Sequence, residues 1–393
     1  MRGGRRSGAI LIWVLVAMVL LGGIIASGMM LAQKTGQDIA LELQYRGQAV
    51  NVAQAGLVDA HSWFRRQLTQ PVMTFNPVLD LVASPPVNDS DDAAIGIVRE
   101  FEIGQTSQVW GRYEVRRAEV TDVSVLRNQA VGAPNGVVWR IRSHGFIYQR
   151  ADPAVAYNVL PNRVIASVTM ESEISRLKIT LPGDAALLVT RGLSTTVSAK
   201  GRVQGNTKVG IYYKASGGVP PAAGGEILGT PSGKVAIADA SWLVTPKDVF
   251  GLDAGGLKSV ADDKFIYPGA AVPMATWPSN VPTYHLVYVE GNLTFDAVKR
   301  LSGTGIIYVK GNVTIASSSN SFFTGMMYIE GNLTVGAPSL MKGTFLVTGA
   351  TSTVSISGLG DYSEVEYDKN VKEDLLAAMG QYRFSRPPVM ISQ

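Results

Sequence analysis

The side chains able to do acid–base, metal or nucleophilic chemistry are few in this 393-residue chain, and they do not converge. There is no cysteine, which excludes disulfides and thiolate metal sites. The three histidines, His61, His144 and His285, fall in separate segments, without zinc-ligand spacing and without a nucleophile motif beside them. The acidic run Asn88-Asp89-Ser90-Asp91-Asp92 offers carboxylates to calcium, but its spacing matches no calcium loop and a solvated acidic turn accounts for it. No enzymatic activity, cofactor or metal is expected from this set.

Residue types at fixed spacing occur instead near the C-terminus. The decapeptide Leu286-Val287-Tyr288-Val289-Glu290-Gly291-Asn292-Leu293-Thr294-Phe295 recurs from Ile306 to Ile315 and from Met326 to Val335, with a degenerate copy around Gly349. Asn292, Asn312 and Asn332 each open an Asn-X-Thr glycosylation pattern. Their fixed period points to a turn requirement instead: Gly291-Asn292, Gly311-Asn312 and Gly331-Asn332 are expected to make tight turns, both types tolerating positive φ. Tyr288, Tyr308 and Tyr328 form a column with two readings. It is either a contact face on which sugars or bases stack, or a face covered by a helix expected from Val371 to Tyr382 through Leu375, Leu376 and Met379, since its neighbours Leu286, Ile306 and Met326 are apolar.

Short β runs at a constant period predict a β-solenoid, in which no turn can bury its apolar face without its neighbours. Alternation points Val287, Ile307, Met327 and Phe345 inward, together with Val289, Val309, Ile329 and Val347, and adds Leu293, Val313 and Leu333 from a second strand. Outward lie the threonines Thr294, Thr314 and Thr334, and a column Glu290, Lys310, Glu330 whose charges alternate in sign. Threonine, tyrosine and mixed charge give no converging acid and base, as polysaccharide cleavage would need. An earlier solenoid turn is expected from Ala186-Leu187-Leu188-Val189. A Gly/Pro-rich loop from Gly217 to Gly225 and a capped helix start at Thr245-Pro246-Lys247-Asp248 separate it from the clear repeats.

At the other end, Arg2, Arg5 and Arg6 precede an apolar run, residues 9–32, that carries no charge. As a helix rising about 1.5 Å per residue it is long enough for a hydrocarbon core of about 30 Å, with the arginines on the cytoplasmic side. Small and apolar residues then continue at helical spacing, Ala49, Val52, Ala53, Gly56, Leu57, Ala60 and Phe64, and no proline occurs before Pro71. A helix to near Leu68 is expected, amphipathic in its second half. Gly22, Gly23 and Gly28 within the apolar run suit either close helix–helix approach or a place where the helix can loosen on leaving the bilayer. The formal charge of +4 falls to +1 without the three leader arginines, so composition implies no general attraction for nucleic acid.

Arg6-Ser7-Gly8 followed by Ala9-Ile10-Leu11-Ile12 resembles the leader of type IV prepilins and type II secretion pseudopilins. The resemblance implies cleavage between Gly8 and Ala9 by a prepilin peptidase, with the apolar helix retained. Pilins usually carry a glutamate five residues into the mature helix; Trp13 stands there, and no carboxylate occurs before Asp38. A charged acid in such a helix is retained only for a partner, and the chain resembles the large minor, tip-type subunits that omit it. Tyr45 to Gly56 also looks like the alanine-rich stretch of large minor pilins.

The fold class expected is α+β: a long N-terminal transmembrane and amphipathic helix packed on an antiparallel pilin-like sheet, followed by a right-handed or similar β-solenoid. The divisions are a leader at 1–8, the helix at 9–70 (transmembrane over 9–32), a β head at 71–183, the solenoid at 184–360 with an insertion at about 215–280, and a C-terminal helix and tail at 361–393. Strands are expected at 97–103, 109–117, 137–147 and 163–174. Seven arginines against three acids between Arg112 and Arg150 suit a phosphate backbone, an acidic neighbouring subunit or solvated strand faces. The function implied is a structural minor pilin or pseudopilin that initiates or caps a filament and displays the solenoid. DNA uptake, or surface adhesion without assembly, are the alternatives. Expected partners are other pilin subunits, the prepilin peptidase, the inner membrane before assembly, and a surface ligand or DNA. The expected location is the bacterial inner membrane, then a cell-surface filament.

Overall fold

The computed structural model describes residues 7–103, 108–127, 136–181, 183–220, 222–230, 236–239 and 244–391. A single helix, α1 (Ser7–Arg66), opens the chain. At about 1.5 Å per residue it is roughly 90 Å long. From Ala49 onward one stripe is buried, Ala49, Val52, Ala53, Leu57, Ala60, Trp63 and Phe64, at the i, i+3, i+4 spacing of a helix lying on a sheet.

That sheet is antiparallel and contains β1 (Gly96–Glu102), β2 (Val109–Arg116), β3 (Val138–Gln149) and β4 (Arg163–Arg176), neighbours in that order. Alternation on β3 turns Trp139, Ile141 and Ile147 toward α1, where they join the helix stripe in one core. The helix and sheet meet closely because Gly145 has no side chain: a Cβ there would stand 2.3 Å from the Ala49 carbonyl oxygen.

The end of the chain returns to this sheet. Tyr382–Phe384 and Val389–Ile391 both pair antiparallel with β4. Tyr382 anchors the return, its hydroxyl donating to the Gly136 carbonyl and accepting from the Val72 N–H at 3.0 Å. The segment expected as a tail is therefore part of the head, and the solenoid is inserted between two head strands. Three-residue strands carry too little alternation to be recognised from sequence.

The solenoid is a stack of parallel strands. Asp263–Ala271 pairs with Val281–Phe295, and the stack continues through Ser302–Val309, Ser321–Ile329 and Ser339–Val347. A second face is formed by Leu293 to Phe295, Val313–Ile315, Leu333–Val335 and Val354–Ile356. The turn from Ala185–Val189 does not precede these repeats in space. It pairs with the last of them, Phe345 with Leu187 and Val347 with Val189, and then with Val209–Lys214, which pairs with Ala236–Asp239. The chain thus enters the stack near its middle, builds outward in one direction, crosses to the far end and builds back. Part of the expected insertion belongs to the stack itself: Ala222–Ala223, Glu226–Leu228 and Asp263–Ala271 are all solenoid strands.

The crossing is made by α2 (Pro246–Phe250) and α3 (Ala254–Val260). Thr245 caps α2 with a reciprocal bond to Asp248, satisfying two N-terminal donors. A fourth helix, α4 (Lys369–Met379), is capped by Asp368 and follows the last solenoid strand.

The α+β expectation is overturned. The protein is mostly β, 43% strand against 20% helix, because the solenoid supplies most of the strand residues. Among the described residues no helix is long and apolar enough to cross a membrane, which removes the transmembrane assignment of the N-terminal helix. Most side chains of the apolar run at 9–32 lie outside the described residues.

Candidate functional site

Of the three Gly–Asn pairs, positive φ occurs at Gly291, +153°. Asn292, Asn312 and Asn332 are not among the described residues with positive φ. Instead each Oδ1 accepts the backbone N–H of the next rung: Asn292 from Asn312 at 2.9 Å, Asn312 from Asn332 at 2.9 Å, and Asn332 from Thr353 at 2.8 Å. The glycine beside each serves close approach, since a Cβ on Gly311 would stand 2.2 Å from the Gly291 oxygen and one on Gly331 2.4 Å from the Gly311 oxygen. Asn312→Ala removes one rung of the ladder at a solvent-facing position and is expected to cost about 1 kcal/mol. Asn312→Asp, which keeps the acceptor, is expected to cost less; equal melting temperatures for the two variants would contradict the ladder.

The tyrosine column is closed to solvent. Tyr288, Tyr308 and Tyr328 stack at 5.1 and 5.3 Å between ring centroids, and all three are buried with Phe250 of α2, Leu257 and Val260 of α3, and Leu375 and Met379 of α4. The contact-face reading does not fit this burial. The cover is made by three helices, of which the sequence points to α4 alone as a cover. Burial pushes the Tyr288 phenol up to about 12 and raises Tyr308 and Tyr328 as well. Tyr308 spends its hydroxyl on Glu330, and Tyr328 donates to the Val244 carbonyl at 2.6 Å.

At the N-terminus, Gly8, Ala9, Trp13, Gly22 and Gly23 lie on the backbone of α1, and their side-chain surroundings lie outside the described residues. Where side chains are described ahead of the head, apolar ones face solvent: Met18, Met29, Met30, Ile39, Leu41 and Leu43 are all exposed. The helix is thus core from Ala49 onward, whereas the described apolar side chains between Met18 and Leu43 are uncovered.

The arginine excess between Arg112 and Arg150 is compensated within the chain. Arg127 and Arg140 reach the buried Glu173, Arg142 bonds Glu171 at 2.7 Å, and Arg117 bonds Asn76 at 2.7 Å. Arg112 joins Glu100 at 2.5 Å and Glu114 at 2.8 Å, Arg116 joins Glu114 at 2.8 Å, and Arg150 lies 4.3 Å over the Trp110 ring. Residues 100, 171 and 173 supply the acids that a count over 112–150 leaves out. Glu100, Arg112, Glu114, Arg116 and Arg150 line a groove of about 750 Å³ between β1, β2 and the loop at 153–158. Burial alone would raise the Glu114 carboxyl, but its bonds to Arg116 and Arg112 outweigh that and hold it below the usual range.

The three histidines remain apart. His144 bridges Glu119 at 2.8 Å and Thr169 at 2.9 Å, and His285 meets Asp263 at 3.0 Å. His61 on α1 donates Nε2–H to the Tyr382 carbonyl at 2.9 Å and packs on Phe384. Burial lowers its pKa from 6.5, and the nearby positive charges of Arg65 and Arg383 add to this against the opposing Tyr382 bond. A lowered folded pKa means the contribution is whole above about 6.5 and is lost as the pH falls through the folded value. Stability is expected to fall on acidification in that window, and His61→Gln is expected to flatten that part of a melting-temperature profile. An unchanged profile would contradict it. Among the described residues no group of acids and histidines could hold a metal.

No family model matches the chain, and no curated protein matches it. Among solved structures it is similar to the competence-associated pilin ComZ from Thermus thermophilus, at 9% identity and a TM-score of 0.21, with 88% of this chain and 97% of that one covered. A likeness of that size carries no argument about fold or function.

Proposed function

We propose that the chain is a structural subunit of a type IV-like filament, a minor pilin or pseudopilin that initiates or caps the assembly and displays its β-solenoid for adhesion. The observation that carries this reading is α1. Its second half is the core of the head, whereas the described apolar side chains of its first half, Met29, Met30, Ile39, Leu41 and Leu43 among them, have no cover within the chain. Exposed apolar surface of this kind marks an interaction site, and helices of neighbouring subunits would bury it. The leader-like Arg6-Ser7-Gly8 and Trp13 in place of the usual acid support the same role. Partners would be other pilin-type subunits and a prepilin peptidase. The location would be the inner membrane before assembly and an extracytoplasmic filament after it. DNA contact is disfavoured, because every one of the arginines that suggested it except Arg117 lies within ion-pair reach of Glu100, Glu114, Glu171 or Glu173.

N-terminal sequencing of the protein isolated from cells tests the reading. A mature start at Ala9, with the protein at one end of sheared filaments, is the expected result. An intact Met1 on the surface-located protein would make it a surface adhesin that does not assemble.

A further inference from the structure

We propose that the groove on the outer face of the head sheet binds a neutral oligosaccharide. Its floor is an alternating row in which Glu100, Arg112, Glu114 and Arg116 are joined at 2.5, 2.8 and 2.8 Å. Glu114 is buried beneath the row, while Glu100, Arg116 and Arg150 are partly open to the groove. A hydroxyl both donates and accepts, so neighbouring hydroxyls of a sugar match a surface that presents a carboxylate oxygen and guanidinium N–H groups side by side.

The ion pairs within the row oppose an ionic ligand. Arg112, Arg116, Arg117 and Arg150 meet Asp92, Glu100 and Glu114 in the lining, and Arg117 spends its guanidinium on Asn76 and the Pro77 carbonyl. Arg112 and Arg116 are already bonded to Glu100 and Glu114, so a phosphate or sulfate bonding those two heads would have to displace one of these carboxylates. A neutral polyol adds hydrogen bonds without breaking an ion pair. Fixed, mutually oriented polar groups also lower the ordering cost of binding. Arg112 is held 4.6 Å over the Tyr157 ring and Arg150 over Trp110, so both heads are positioned before a ligand arrives. The volume of about 750 Å³ falls in the range of small-ligand sites. Tyr157 lines the groove beside the almost fully buried Tyr148, whose phenol is pushed up to about 12 by burial and then by the charge of Glu100.

The site is independent of the filament reading, since the mature terminus and the filament location can fail without altering the groove. The test is saturation-transfer NMR on the full-length protein in detergent, with maltotriose, cellotriose and chitotriose, and with a heparin-derived tetrasaccharide as the anionic probe. The expected result is transfer to at least one neutral trisaccharide, little changed between low and high salt. Arg150→Ala and Glu100→Gln are each expected to weaken it at least about tenfold with the melting temperature retained; if one of them does not fold, the other carries the test. Absence of transfer to all three neutral probes would overturn the proposal. So would unchanged binding in the folded variants, or a preference for the heparin fragment that salt abolishes.

Discussion

Gly325→Ala is expected to destabilise the protein by at least about 3 kcal/mol, the combined cost of a disfavoured backbone conformation and an overpacked contact. Gly305, Gly325 and Gly343 are in register on three successive rungs. A Cβ on Gly325 would stand 2.0 Å from the Gly305 carbonyl oxygen, and one on Gly343 1.9 Å from that of Gly325. Both glycines also have positive φ, +151° and +129°. The obstacle is backbone on a neighbouring rung, so it cannot rotate away as a side chain would, and relief requires opening a parallel ladder paired on both sides. Gly47→Ala is the matched control: a Cβ there meets nothing within 4 Å, and alanine in a helix is favoured over glycine by about 1 kcal/mol. Thermal unfolding of the two variants measures the contrast, and a Gly325→Ala protein melting with the parent would refute the glycine column.

Phe345→Ala is expected to cost about 3–5 kcal/mol, the range for deleting a buried phenylalanine. Its position makes the loss larger than local. Phe345 stands between Met327 of the preceding rung and Leu187, the strand with which the chain enters the stack. The pairing of residues 345–347 with 187–189 joins the repeats to the strands built before them. Amide exchange of Ala185–Val189 and Val209–Lys214 is expected to accelerate together in the variant, since they depend on the same joint. If the melting temperature falls while those amides keep their protection, the joint is not what holds the two halves together.

The repeats were readable because their information is local and periodic: Val287, Ile307 and Met327 occupy equivalent places in each copy, and they share one buried cluster. Entry at mid-stack was not readable. Ala185-Ala186-Leu187-Leu188-Val189 is buried at every position, and a uniformly apolar parallel strand carries no mark of which neighbour it will take. The asparagine ladder was not readable from sequence for a related reason. Tolerance of positive φ belongs to a residue alone, whereas bonding the N–H of the next rung exists only once rungs are stacked. The α+β assignment weighted one long helix, while short strands such as Ala222–Ala223 and Tyr382–Phe384 were too brief to count. The groove was hidden because Glu100, Arg112, Tyr148 and Tyr157 come from separate segments, and a count of charges along the chain separated arginines from the acids that neutralise them.

The insertion of the solenoid between β4 and Tyr382–Phe384 has a mechanical consequence. Two covalent crossings join it to the head, one leaving β4 at Arg176 and one arriving through α4, and they are bonded to each other where the Leu177 N–H meets the Gln381 carbonyl at 3.1 Å. A pull on the solenoid is therefore shared by two tethers in parallel, and both end on the same strand, so tension loads β4 and its neighbour together instead of peeling one end of the sheet. A module hung from a single linker would swing and transmit force through one peptide path; this one is clamped at its root.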